Sequence, residues 1–433
     1  MADDIAIQAV ERSLAAIAAD NDRLRAVTCF DAGRARARAA RQDGDGRGVL
    51  YGLTFVAKDL IDVADLPTSG GSRLFDDVPA AVDADCVRRL SAAGAVVIGK
   101  SNMHELAVGG AVNPWFGQVV NPLSAEHGTG GTSSGSAAAV ASGMCDFALG
   151  TDSGGSNRSP AAATGLFGFK PTNGILPLDG VRRVAPTLDT VGLLARDASV
   201  LRQAFAALSG QPPRESCRLE DTIVGRPIGL HGPVDAPVQR ACDEALSAVR
   251  SAGGRIVDVS FAGAGGLVQA GKHILRHEFA REYGEKIAER GNMVGADVRA
   301  FTEACREISA ARYEDALALI AVQRSIWRDA MEGVDAILVP TAPGLAPRIA
   351  DEFTRIGDSW RPYGAAGAEF RMWANTVGIP AVAIPVPMHG GLPASVQLAA
   401  RHGADGFLID LSAALGRQIA KQRAAPTKKR GMI

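Results

Sequence analysis

Neither sign of charge dominates this 433-residue chain, in which 46 lysines and arginines stand against 47 aspartates and glutamates. So even a balance leaves no whole-molecule field to attract nucleic acid or an anionic membrane, and the reading is that the chain binds neither. The most basic run, with Lys428, Lys429 and Arg430, is terminal and reads as a solvated tail. None of the six cysteines forms a Cys-x-x-Cys pair, which argues against a zinc ribbon or a redox dithiol and for buried free thiols. No stretch approaches the roughly 18 consecutive apolar residues of a membrane span. The opening Met1-Ala2-Asp3-Asp4 lacks the basic-then-apolar order of a secretory signal, so a cytoplasmic location is expected. A dinucleotide fingerprint is missing too: Gly263 and Gly265 begin G-x-G-x-x-G, but Val268 occupies its third position.

What is present is a composition 47% hydrophobic and 21% charged, enough for a large core. Residues 5–41 show alanine, leucine and isoleucine at three- and four-residue spacing without glycine or proline pairs, predicting a helical segment before the Asp43–Gly48 break. Short apolar runs follow: LTFVAKDLIDV from Leu53, AVVIGK at 95–100 and FALGTD at 147–152, with an alanine-rich helical stretch at 85–93 between them. The rhythm returns in AILVPTAP at 336–343, AVAIPV at 381–386 and SVQLAA at 395–400, then a helix near 405–421. Alternation of this kind builds an α/β sheet. Residues 234–332 read as a helical subregion covering the active-site edge, interrupted only by GRIVDVSF at 254–261. With no repeat and no linker, one domain is expected over 1–433, ending in a tail at 422–433.

Three segments carry chemistry. GGTSSGSAAAVASG at 130–143 has a helical second half that Gly143 can end, whereas its first seven residues are all small and rich in hydroxyls. GTDSGGSNR at 150–158 follows a strand, and its path through Ser153, Gly154, Gly155 and Ser156 has so little bulk that successive backbone N–H groups can converge on one oxyanion. Ser159 and Pro160 read as the cap and first residue of a helix aimed at that spot. Lys58 lies inside an apolar strand, where it would either snorkel, pair with Asp59, or lose its proton by desolvation and serve as a base.

Together these segments resemble the amidase signature family from about residue 5 to 421. The likeness rests on GLTFVAKD around Lys58, IGKSNMHELAVG at 98–109, Asn121-Pro122, GGTSSGSAAAVASG, ALGTDSGGSNRSPAA, GFKPTNG at 168–174, LDTVGLLAR at 188–196, ANTVGIPAVAIPV and GLPASVQL. It implies a mixed central β-sheet with helices on both faces and amide hydrolysis through a serine acyl-enzyme. It further implies Ser156 as nucleophile, Lys58 as base, the residue at 132 as a relay held in a cis peptide, and backbone N–H groups of Ser153 to Ser156 as oxyanion hole. No metal or organic cofactor is implied. The family's relay is usually serine, and here it is Thr132, which keeps the hydroxyl but adds a methyl group that restricts χ1; Ser133 could stand in. Asn157 and Ser159 replace residues that are commonly apolar in the family.

Other readings compete. Gly131-Thr132-Ser133-Ser134-Gly135 matches the G-x-S-x-G elbow of α/β-hydrolase esterases with Ser133 as nucleophile. That motif needs a buried strand before it, and SAEHGTG at 124–130 is polar and turn-like. His104 and His127 read as hydrogen-bonded loop or core residues. The same catalytic residues would serve the glutamine-hydrolysing component of an amidotransferase, though no basic RNA-facing stripe is evident. The expected partner is a small amide, with a homodimer or a small accessory subunit left open. Tyr313, Arg324, Tyr363, Arg371 and Trp373 are the candidates for specificity.

Overall fold

The computed structural model describes residues 5–42, 48–211, 217–388 and 391–424. The basic run at 428–430, the first four residues and most of the 43–48 break lie outside these. Eleven strands form one sheet: β1 (Val27–Phe30), β2 (Thr54–Lys58), β3 (Val96–Ser101), β4 (Phe147–Thr151), β5 (Phe167–Lys170), β6 (Val191–Ala195), β7 (Ile223–Ile228), β8 (Arg255–Ser260), β9 (Ala336–Pro340), β10 (Ala381–Val386) and β11 (Ala394–Ala400). Their order is β1-β3-β2-β4-β6-β5-β10-β11-β9-β7-β8. Parallel pairs β3/β2, β2/β4, β9/β7 and β7/β8 flank an antiparallel centre, so the sheet is mixed.

The central strands are mostly apolar and buried, because helices cover both faces. On one face Phe55, Ala57, Phe147, Leu149 and Leu193 pack against α3 (Asp85–Ala92), α6 (Ala198–Ser209), α7 (Ala236–Ser251) and α12 (Asp405–Ala424). On the other, Val56, Ile98, Ala148 and Leu194 meet α1 (Ile5–Leu24), α2 (Ala32–Ala40), α4 (Ser134–Ala141) and α5 (Arg158–Thr164). By strand alternation Lys58 shares the face of Val56, the side on which α4 and α5 begin. Helices α8 (Leu267–Glu289), α9 (Ala296–Cys305) and α10 (Ala310–Ala330) pack over Leu60, Met103, Leu106, Ala185 and Leu188, in the segments that leave the sheet. With α11 (Tyr363–Val377) they roof that end.

Four expectations change. The 5–41 segment is two helices, because Arg25 takes a positive φ of 53° and Val27–Phe30 leaves to pair antiparallel with β3 as an edge strand before Asp31 caps α2. Within 234–332, α7 packs on the sheet strands β9 and β11 rather than over the site, so the cover is α8 to α10. Helix α5 starts at Arg158 with Asn157 as its cap residue, so Ser159 and Pro160 are already inside it. SAEHG at 124–128 is a strand, paired in a two-stranded ribbon with Val120–Asn121 and outside the main sheet.

Candidate active site

Lys58 ends β2 with no exposed surface, and its Nζ donates to Thr132 Oγ1 at 2.8 Å and Thr151 Oγ1 at 2.9 Å. Burial, which penalises the ammonium, brings its pKa from 10.5 down to about 7 against the opposing pull of Asp152 and Asp189. Asp59, the alternative partner, faces away to an ion pair with Lys100 at 3.0 Å. A base that is part neutral at pH 7 therefore touches a hydroxyl.

Thr132 follows a cis peptide bond at Gly131–Thr132 and precedes α4. The adjoining Ser133 N–H donates to the Ser156 carbonyl at 3.1 Å, which ties the 130–136 segment to the turn after β4. Thr132 and Ser156 line one cavity of about 550 Å³ together with Ser153, Gly154, Gly155, His104, Tyr363 and Arg371. Ser133 does not face that cavity: it is fully buried, its hydroxyl held by the Thr151 carbonyl at 3.2 Å and Asn157 Oδ1 at 3.0 Å.

The shape of the 153–156 turn is imposed by Asp152. This wholly buried carboxylate accepts from the Gly155 N–H at 2.7 Å, the Asn157 N–H at 3.2 Å and Asn375 Nδ2 at 2.9 Å, and pairs with Arg158 at 3.1 Å. Burial alone would raise its pKa, but the Arg158 charge and these bonds hold it well below the usual carboxylate range. Arg158 spends its remaining donors on Asn375 Oδ1, Gln397 Oε1 and the Arg371 carbonyl. The expected oxyanion set is thereby narrowed: the Gly155 N–H is committed to Asp152, while the N–H groups of Ser153, Gly154 and Ser156 have no partner among the described residues. Gly155 has φ of 114°, and a Cβ there would stand 2.6 Å from Arg371 Nε, so only glycine fits.

Ser153 Oγ donates to Asp189, whose other oxygen takes the Val184 and Ala185 N–H groups; burial still lifts Asp189 to about 6. His104 lines the cavity with Nδ1 on the Gly109 carbonyl at 3.2 Å and Nε2 unpartnered. Burial and then the Lys58 charge lower it to about 4, so its imidazole is neutral. His127 is remote, bonded to Ser124 at 2.9 Å. Of the specificity candidates, Tyr363 and Arg371 face the cavity, whereas Trp373 stacks on Trp327 in the core, Arg324 lines a separate groove and Tyr313 bonds Glu278. Asp152 and Arg158 both sit in the GTDSGGSNR motif yet are not among the residues expected to serve the site. Among the described residues no group of His, Cys, Asp and Glu is placed to hold a metal ion, and no helix is long and apolar enough to cross a membrane.

Residues 8–409 match the family model described as Amidase. The A subunit of the glutamyl-tRNA(Gln) amidotransferase from Anaeromyxobacter sp. (strain K) is 34% identical, spanning 96% of this chain and 94% of that protein. An indoleacetamide hydrolase of Pseudomonas syringae pv. syringae is 41% identical across 55% of this chain and 54% of its own length. A crystal structure described as an amidase superposes with a TM-score of 0.88 at 30% identity, covering 95% of this chain and 96% of that one. A match of this extent, over a fold that also superposes, makes the chain an enzyme of carbon–nitrogen bond hydrolysis and a member of the amidase signature family.

Proposed function

We propose that the protein hydrolyses a small amide to a carboxylate and ammonia or an amine through an acyl-enzyme on Ser156. The observation that carries this is the 2.8 Å bond from a buried, readily neutralised Lys58 to Thr132, at a cavity that also holds Ser156 and three unpaired backbone donors. Neutral Lys58 takes the Thr132 hydroxyl proton as Thr132 takes that of Ser156, and Ser156 Oγ attacks the amide carbonyl. The N–H groups of Ser153, Gly154 and Ser156 receive the oxyanion. The relay then runs backward to protonate the leaving nitrogen, and water, deprotonated by the same path, releases the acid.

A second reading has its own support. Similarity over nearly the full length to the A subunit of an amidotransferase favours glutamine as the amide, with ammonia passed to partner proteins.

Ammonia release from small aliphatic, aromatic and urea-like amides, with glutamine among them, tests both readings. Hydrolysis by the isolated chain, lost in Ser156→Ala, is the expected result. A fluorophosphonate should label Ser156, and full turnover in Ser156→Ala or an adduct on Ser133 would refute the assignment.

A further inference from the structure

Arg371 is a buried cation without an anion. It is 3% exposed, and among the described residues it forms no ion pair. Its Nη1 donates to the Thr341 carbonyl at 2.9 Å, while Nε has no partner and no bond is formed by Nη2. A guanidinium in that state is costly to keep unless something satisfies it. Its seat is nonetheless built: the side chain crosses Gly155 on one side, and a Cβ at Gly367 on α11 would come within 2.2 Å of Nη2. Two glycines thus make room for a charged fork beside the residue that precedes Ser156.

The rest of the cavity has the same sign. Lys272 and Arg276, one turn apart on α8, line it half-buried, their side chains without ion pairs or hydrogen bonds among the described residues. Glu352 is the one carboxylate on its wall, bonded to Gln118 Nε2 at 3.1 Å, and burial raises it to about 7, so at neutral pH it offsets only part of the three cations.

We propose that the substrate is an amide whose acyl part carries a carboxylate, which Arg371 receives through Nη2 while the half-buried Lys272 and Arg276 add positive charge to the same cavity. This rests on the amidase reading above. The acyl part is assigned because it stays bonded to Ser156 while the leaving nitrogen departs, and the buried Arg371 packs on Gly155, the residue next to Ser156. A carboxylate would supply the counter-charge that the guanidinium lacks, whereas a neutral amide would leave it unpaired.

The test compares the monoamides malonamate, succinamate and glutaramate with propionamide, butyramide and valeramide, which have the same chain lengths and no charge. In wild type, kcat/KM for the best anionic member should exceed its neutral counterpart by about 10- to 100-fold, the usual worth of a hydrogen bond to a charged group. Arg371→Met should erase that preference, with Arg371→Lys between. Should Arg371→Met not fold, the Lys272→Ala/Arg276→Ala pair, on the half-buried face of α8, should lower the anionic substrate several-fold and reduce its salt dependence. No preference in wild type, or an equal loss on both series, overturns the proposal. Calorimetric titration with succinate and glutarate separates the two readings. If no amide is hydrolysed yet dicarboxylate binding needs Arg371, the amidase reading fails and the anion site stands; if amides are hydrolysed and dicarboxylates bind wild type and Arg371→Met alike, the anion site fails alone.

Discussion

Replacing Lys58 with methionine should disable the enzyme and stabilise the protein. The unfolded chain holds this lysine protonated up to about pH 10.5, while the folded chain releases the proton near 7. Those 3.5 pH decades at 1.36 kcal/mol each amount to about 5 kcal/mol of folding free energy forgone at and below neutrality. The sign follows from proton counts: between pH 7 and 10.5 the unfolded state binds more protons, so stability climbs with pH across that window and the cost fades toward its upper end. Methionine has similar length and no charge, so it escapes the cost but loses the bonds to Thr132 and Thr151, worth about 1 kcal/mol each. The net gain is about 2–3 kcal/mol at pH 7. Urea unfolding followed through the buried Trp327 and Trp373 would measure it. The advantage should shrink steadily as the buffer is raised toward pH 9, while amide hydrolysis falls at least about 100-fold at every pH. Equal or lower stability of Lys58→Met at pH 7, with a difference independent of pH, would refute the account of a desolvated lysine.

Thr132→Ser should keep most of the activity because the hydroxyl survives, whereas Thr132→Val, alike in shape, should be slower by about 100-fold or more in steady-state ammonia release; equal rates for valine and wild type would make Thr132 a packing residue. Arg158→Met should destabilise by about 3–5 kcal/mol in urea unfolding, since it strands the Asp152 charge with no exposed surface, and it should show a sharper loss at pH 8 than at pH 5.

The segments that meet at the cavity were legible in the sequence because their residue types are unusual: a run of small residues after one strand, and a lysine where no apolar strand would otherwise carry one. Strands β2, β3 and β10 were legible for a related reason, as buried strands show continuous apolar runs. Strand β1 was not, since VTCF continues the helical spacing of its neighbours and becomes a strand only through the distant edge of β3. Asp152 and Arg158 were hidden similarly: six residues apart in a motif full of polar residues, they look like loop decoration until burial makes them a pair. Nor could spacing separate Ser133 from Thr132. Adjacent hydroxyls differ only in direction, one toward the cavity and one into the contacts with Thr151 and Asn157.

Lys58 and the turn that holds Ser156 come from β2 and β4, adjacent parallel strands whose register, Ala57 beside Leu149, is fixed by the sheet ladder. Much of the remaining cavity wall comes from α8 and α11, far along the chain. On the proposed mechanism, selection can therefore rework the helices for a new substrate without disturbing the spacing of Lys58 and Ser156. For the engineer, libraries confined to inward positions of α8 and α11 should yield changed preferences in folded, working enzymes far more often than libraries of equal size placed at residues 54–58 or 147–156.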